Sequence, residues 1–306
     1  MTKQERNKGI SLERIKIMLQ EQGYITDESV SLSIFLSLQL DKPLLIEGPA
    51  GVGKTEIAKV MALALQTDLI RLQCYEGLDS THALYEWNYQ RQLLHLKMTE
   101  QETRTAEEKE QTIFSDHFLM KRPLLQAITH HRKPVLLIDE IDRSDEEFES
   151  FLLEVLSDWQ VTIPETGTIK ATNIPQVILT SNRTRELSEA LRRRCLYLYI
   201  DYPGYDKEWQ IIKNKVPGID EVLAGEITRF MQELRNSRLE KTPGIAETID
   251  WAMALTALHI DHLDKKIIEQ TLGVLLKDWR DTRQVQMSLS ELMEKTGIHS
   301  RVTEHD

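Results

Sequence analysis

Apolar and polar positions alternate along the chain in two distinct rhythms. In the first two thirds, short apolar runs recur between helical stretches. The runs Pro43–Glu47, Asp68–Cys74, Pro134–Ile138, Gln176–Asn182 and Leu196–Ile200 each carry three or more adjacent or alternating apolar residues. Such continuous runs suit strands buried on both faces. Between them, 12–19, Asp27–Leu40, Thr55–Gln66, Phe118–Ile128 and Phe148–Leu156 repeat apolar residues at helical spacing. Asp27 reads as a helix N-cap. Strands alternating with helices predict an α/β fold with a five-stranded parallel sheet.

Other stretches predict different elements. Trp159–Ile163 and Gly167–Ala171 flank Pro164-Glu165-Thr166, a hairpin signal. Glu86–Leu96 mixes aromatic and polar residues and reads as a small hairpin. Thr99–Gln111 is almost wholly polar and reads as a solvated loop. Residues 1–9 and the tail from Gly297 are polar. Beyond Pro203-Gly204 the pattern turns wholly helical, at about 207–215, 220–237, 245–258, 265–276 and a weaker helix through Met293, with Pro243 suited to the first turn of the third. Two domains follow from this shift, 1–203 and 204–306. No repeat of solenoid period and no low-complexity tract occurs.

Candidate chemistry sits at the ends of the apolar runs. Gly48-Pro49-Ala50-Gly51-Val52-Gly53-Lys54-Thr55, followed by Glu56, reads G-x-x-x-x-G-K-T between a strand and a helix. Glycines let backbone N–H groups approach phosphate oxygens, and the helix N-terminus favours the same anion. Lys54 suits the β- and γ-phosphates and Thr55 suits Mg²⁺, so ATP with Mg²⁺ is the expected pair. Val135–Ile138 ends in Asp139-Glu140. The first acid suits holding the metal through water, and the second suits the general base that activates water. Asn182, at the end of another strand, suits holding that water. By resemblance to ATPases of this build, in which the segment before the first strand often packs on the adenine, Tyr24 and Ile25 are candidates for that role; they read equally well as ordinary core.

Composition narrows the classes. The 306 residues carry a net charge of -11, which disfavours phosphate backbones and anionic membranes as partners. The two cysteines, Cys74 and Cys195, have no metal-ligand spacing. Polar first residues and the lack of a long apolar run point to a cytoplasmic protein without a membrane span.

The order of phosphate loop, Asp139-Glu140, Asn182, arginine cluster and helical tail resembles the AAA+ ATPases over nearly the whole chain. The resemblance implies a P-loop NTPase core followed by a smaller helical lid. It makes Asn182 the first sensor and Arg194, last of Arg192-Arg193-Arg194, the arginine finger; the three also read as a solvated basic face. The hairpin before the Asn182 strand is similar to a pre-sensor-1 hairpin, and Glu86–Leu96 to a helix-2 insert. Together they resemble the MoxR-type branch. Ile138–Glu149, Thr180–Leu187, Arg193–Tyr197 and Pro243–Thr248 are similar to the CoxD-like accessory ATPase of carbon monoxide dehydrogenase operons.

That resemblance implies a hexameric ring, a partner with a von Willebrand factor A domain, and a metalloenzyme client such as a molybdenum hydroxylase. In one place the chain departs from the family. The slot after Pro243, where many relatives carry a second-sensor arginine, is Gly244. Two other classes remain on the sequence, a nucleic-acid motor or clamp-loader-like ATPase and a non-hydrolysing scaffold. The acidic charge argues against the first, and an intact Glu140 against the second.

Overall fold

The structure, a computed structural model, describes residues 11–100 and 105–298. Residues 1–9 and most of the tail after Gly297 lie outside them. The chain divides into two compact units, Met1–Glu47 with Thr55–Tyr199, and Gly48–Lys54 with Ile200–Asp306.

The first unit contains, in chain order, α1 (Leu12–Glu21), α2 (Glu28–Leu40), β1 (Leu44–Glu47), α3 (Lys54–Ala64, from Thr55 onward), β2 (Leu69–Gln73), α4 (Ser80–Leu84), β3 (Tyr85–Trp87), α5 (Tyr89–Met98), α6 (Ala106–Ile113), β4 (Leu119–Lys121), α7 (Pro123–Ile128), β5 (Val135–Asp139), α8 (Glu146–Asp158), β6 (Gln160–Ile163), β7 (Gly167–Lys170), β8 (Gln176–Ser181), α9 (Glu189–Arg194) and β9 (Leu196–Tyr199). Five strands form one parallel sheet in the order β2-β5-β8-β1-β9. Every residue of β1, β5 and β8 is buried, which is why these strands read as unbroken apolar runs. Register aligns Gln73 with Asp139, and Glu47 with Ser181. The C-terminal ends of β1, β2, β5 and β8 therefore share one edge, where ligands bind in open α/β sheets.

The expected hairpin β6–β7 is present, with Val161 opposite Ile169. Three expectations in the region between α4 and β5 need correction. Glu86–Leu96 is not a hairpin: β3 pairs antiparallel with β4, with Tyr85 opposite Lys121 and Trp87 opposite Leu119. Asn88 caps α5 by accepting from Arg91 N at 3.0 Å, so the chain turns helical straight after Trp87. Second, the polar run is helical from Ala106. Thr105 and Glu108 form a reciprocal capping box, Glu108 N to Thr105 Oγ1 at 3.2 Å and Thr105 N to Glu108 Oε2 at 2.9 Å. No residue of α6 is buried, so caps rather than an apolar face define it. Third, Phe118–Ile128 is a strand and then a helix. Pro123 opens α7, for which the extended Arg122 is the N-cap, so the chain turns helical straight after β4.

The second unit is helical: α10 (Tyr205–Lys215), α11 (Glu221–Asn236), α12 (Ile245–Ala257), α13 (Lys265–Leu275) and α14 (Trp279–Thr296). Phe230, Met231, Trp251, Leu255, Leu272 and Leu289 lie at its core. Pro243 falls outside the first turn of α12, because Gly244 is the N-cap and its N–H donates to Glu247 Oε2 at 2.9 Å. A buried ion pair braces this turn. Arg235 donates to both oxygens of Glu208, at 2.6 and 2.7 Å, and to the Pro243 carbonyl at 2.9 Å. Among the described residues, no helix is long and apolar enough to cross a membrane.

Candidate functional site

The phosphate-loop residues Gly48–Lys54 group with the helical unit. Lys54 is buried, and its ammonium donates to the carbonyls of Gly48 at 2.8 Å and Pro49 at 2.6 Å. Two backbone oxygens thus aim the charged group back over its own loop. Gly53 has φ +91°, a conformation that favours glycine, and an added Cβ there would meet nothing within 4 Å. At Gly53 the loop therefore presents open backbone next to the buried Lys54 in sequence, which suits a phosphate group. The slot after Pro243 also finds its reason here. Ile245 N–H donates to Gly51 O at 2.9 Å, and Gly244 lies flat against Gly51. A side chain of any size at Gly244 would collide with the loop backbone.

In the sheet unit, β5 ends in Asp139, which is 2 % exposed. Its Oδ1 accepts from Thr55 Oγ1 at 3.0 Å and from Thr180 Oγ1 at 2.5 Å. Its Oδ2 accepts from Arg71 Nε at 3.0 Å and Nη2 at 2.5 Å. Glu140 follows with φ +55°, a left-handed conformation rare for a non-glycine residue. Thr180 Oγ1 accepts from Glu140 N at 3.0 Å, so one hydroxyl ties both acids to β8. The Glu140 carboxylate accepts from Gln73 Nε2 at 3.0 Å, Arg143 Nη1 at 3.2 Å and Asn182 Nδ2 at 3.4 Å. Asp142 holds the turn after Asn182, accepting from Asn182 N at 3.2 Å and Thr184 N at 2.9 Å.

Thr55, Asp139, Glu140 and Asn182 are thus brought together. A hydroxyl beside a buried carboxylate is a donor set for a hard cation that keeps part of its water shell, as Mg²⁺ does. Next to these acids, burial and then the charges of Asp139, Asp142 and Glu140 push the Cys74 thiol up to about 12.

Other candidates stand apart from this group. Tyr24 and Ile25 are half-buried between α1 and α2. Burial, then the charges of Asp27 and Glu56, raise the Tyr24 phenol well above its ordinary value, so Tyr24 lies within electrostatic reach of Glu56. Arg194, exposed at the end of α9, donates to Leu153 O at 2.5 Å and to Ser157 Oγ on α8. Arg193 pairs with Glu189, and Arg192 lies over the Tyr197 ring at 5.6 Å.

Sequence reasoning missed Arg71, Gln73, Thr180 and Arg143. The signal for the first two was present: Leu69-Ile70-Arg71-Leu72-Gln73 alternates, placing both polar residues on one face of β2 at the functional edge.

Comparison with known proteins places this architecture. An uncharacterised protein of Staphylococcus haemolyticus is 27 % identical over 284 residues, covering 89 % of this chain and 98 % of its own. An uncharacterised protein of Staphylococcus aureus is 26 % identical over 258 residues, covering 80 % and 89 %. Among solved structures, the Thermotoga maritima RuvB Holliday junction branch migration motor aligns with a TM-score of 0.46 at 19 % identity, covering 97 % of this chain and 85 % of its own. A point mutant of RuvB aligns at 0.49 with 21 % identity, covering 91 % and 84 %. Residues 43–195, half of the chain, match the AAA domain of the dynein-related subfamily, and the chain belongs to that family of AAA+ ATPases.

Proposed function

We propose that this chain is a MoxR-type AAA+ chaperone, CoxD-like, that hydrolyses ATP to mature a metalloenzyme. The constellation of Thr55, Asp139, Glu140 and Asn182 supports the hydrolytic part of this reading, because it joins a metal-binding pair to a base and a water-holding amide, and the chaperone part rests on the sequence resemblance. Lys54 meets the β- and γ-phosphates. Thr55 and Asp139 hold Mg²⁺, which when bound neutralises charge on the phosphate oxygens. Glu140 takes the proton of the attacking water, with Asn182 Nδ2 donating to its carboxylate at 3.4 Å. Tyr24 and Ile25 are assigned to the adenine.

Arg194 is assigned in trans to the neighbouring subunit of a homo-oligomeric, hexameric ring. The exposed residues Tyr89, Leu93, Leu94 and Met98 on α5 support a docking role for the insert toward the client, a molybdenum hydroxylase of the carbon monoxide dehydrogenase type, or toward a partner with a von Willebrand factor A domain. The test is calorimetry with ATP and Mg²⁺ on wild type and Lys54→Ala, followed by capture of partners on Glu140→Gln loaded with ATP. Loss of binding in Lys54→Ala, and recovery of a metalloenzyme with a von Willebrand factor A protein, are expected. Unchanged affinity in Lys54→Ala would overturn the nucleotide assignment. Capture of neither partner would overturn the chaperone assignment.

A further inference from the structure

Asp139 carries more hydrogen bonds than a metal-holding carboxylate needs. An ionised carboxylate offers about four acceptor sites. Thr55 and Thr180 take Oδ1, and the two Arg71 bonds take Oδ2. A cation that joins Asp139 directly has to displace one of these partners or share the carboxylate with a guanidinium. Sharing sets like charges against each other at short range, which disfavours it.

The partners differ in their freedom to leave. The Asp139 side chain is 3 % exposed, whereas that of Arg71 is 51 % exposed. The acid is fixed at a strand end inside the sheet. The arginine reaches it from β2 on a long side chain with open solvent beside it, so it can swing away and be hydrated. Thr180 cannot leave as easily, because its residue is buried in β8 and its hydroxyl also accepts from Glu140 N.

We propose that Arg71 is the exchangeable counter-ion of Asp139. It balances the buried carboxylate and gives way to a divalent cation, and it thereby sets the Mg²⁺ concentration at which the protein loads Mg-nucleotide. The inference rests on the proposed magnesium role of Asp139. The exchange also reaches the second acid. Arg71 Nη2 donates to Gln73 Oε1 at 2.5 Å, and Gln73 Nε2 donates to Glu140 Oε2 at 3.0 Å. When Arg71 leaves, Gln73 loses one of the three partners that orient its amide, keeping Glu140 and the Cys74 carbonyl, to which Nε2 also donates at 3.4 Å. Arg71 is a positioning residue in this account, because it acts through Asp139 and Gln73.

The experiment titrates Mg²⁺ into the 306-residue chain with a fluorescent ADP analogue and follows nucleotide binding. Unfolding temperature against Mg²⁺ is recorded in parallel. Arg71→Ala should lower the half-saturating Mg²⁺ concentration about tenfold, the scale on which a neighbouring opposite charge shifts a carboxylate equilibrium. Arg71→Gln keeps a donor and removes only the charge, so it should show the same fall; it serves where the alanine variant fails to fold. Arg71→Lys, which keeps the charge, should lie between them and wild type. In an Asp139→Asn background the Arg71 effect should vanish. If Asp139→Asn leaves the Mg²⁺ dependence untouched, the magnesium role of Asp139 fails. If Asp139→Asn changes it while Arg71→Ala and Arg71→Gln leave it unchanged or raise the requirement, the counter-ion proposal alone is overturned.

Discussion

Gly244 lies against Gly51 so closely that a Cβ built on it would stand 2.7 Å from the Gly51 Cα and 2.8 Å from the Gly51 carbonyl oxygen. Both neighbours are backbone atoms, which cannot rotate away. Gly244→Ala should therefore push the phosphate loop out of place, weaken nucleotide binding at least tenfold, and cost about 1–3 kcal/mol of stability, the usual range for overpacking. The matched control is Gly204→Ala, at the N-cap of α10, where a Cβ meets nothing within 4 Å. Calorimetric Kd values and denaturant midpoints for the two variants check this. Equal behaviour of Gly244→Ala and Gly204→Ala would contradict it.

The Glu208–Arg235 pair should be the main polar determinant of lid stability. Glu208 has 0 % and Arg235 6 % side-chain exposure, so removing one partner strands a buried charge. Arg235→Met should destabilise by roughly 3–5 kcal/mol in a urea melt followed by far-UV circular dichroism. Replacing both, Glu208→Leu with Arg235→Met, should recover much of that loss. A single-variant cost under about 1 kcal/mol, the value of an exposed pair, would contradict the prediction.

Cys74 should be inert as a thiol. Its group is raised from 9.0 to about 12 by burial and by Asp139. The folded state thus binds this proton more tightly than the unfolded state. The resulting stabilisation is complete below about pH 9 and is lost as pH rises from there through about 12. Native protein at pH 8 should leave Cys74 unmodified by iodoacetamide, and Cys74→Ala should flatten the fall in stability between pH 9 and 11. Rapid labelling of Cys74 in the native state would contradict this.

Arg194 is proposed to act in trans across a subunit boundary. Arg194→Ala should bind ATP normally and hydrolyse it about 10³-fold to 10⁵-fold more slowly, the usual worth of an arginine finger. Mixing it with Glu140→Gln should restore part of the rate, because a mixed boundary pairs an intact base with an intact finger. Co-assembly without recovery would assign the trans role to another residue.

The strands of the main sheet were legible because burial on both faces forces continuous apolar runs, as in Val135–Ile138. The phosphate loop and the two acids were legible because they lie at the ends of those runs. The insert was not. The β3–β4 pairing joins Tyr85–Trp87 to Leu119–Lys121 across two intervening helices, and no local pattern announces such a closure. α6 escaped because its Thr105–Glu108 box, and no apolar stripe, defines it. Arg71 and Gln73 went unread because their roles depend on which strand lies beside β2. Register aligns Gln73 with Asp139, and that neighbour is fixed only by the fold.

Glu140 is proposed as the base of this ATPase, with the metal held at Asp139. The direct measurement is phosphate release from ATP and Mg²⁺ by wild type and Glu140→Gln, with retention of bound ATP recorded on the same samples. The expected result is turnover in wild type, at least a hundredfold loss in Glu140→Gln, and unhydrolysed ATP retained on the variant. Wild-type turnover in Glu140→Gln, or no turnover in wild type under conditions where ATP binds, would contradict it.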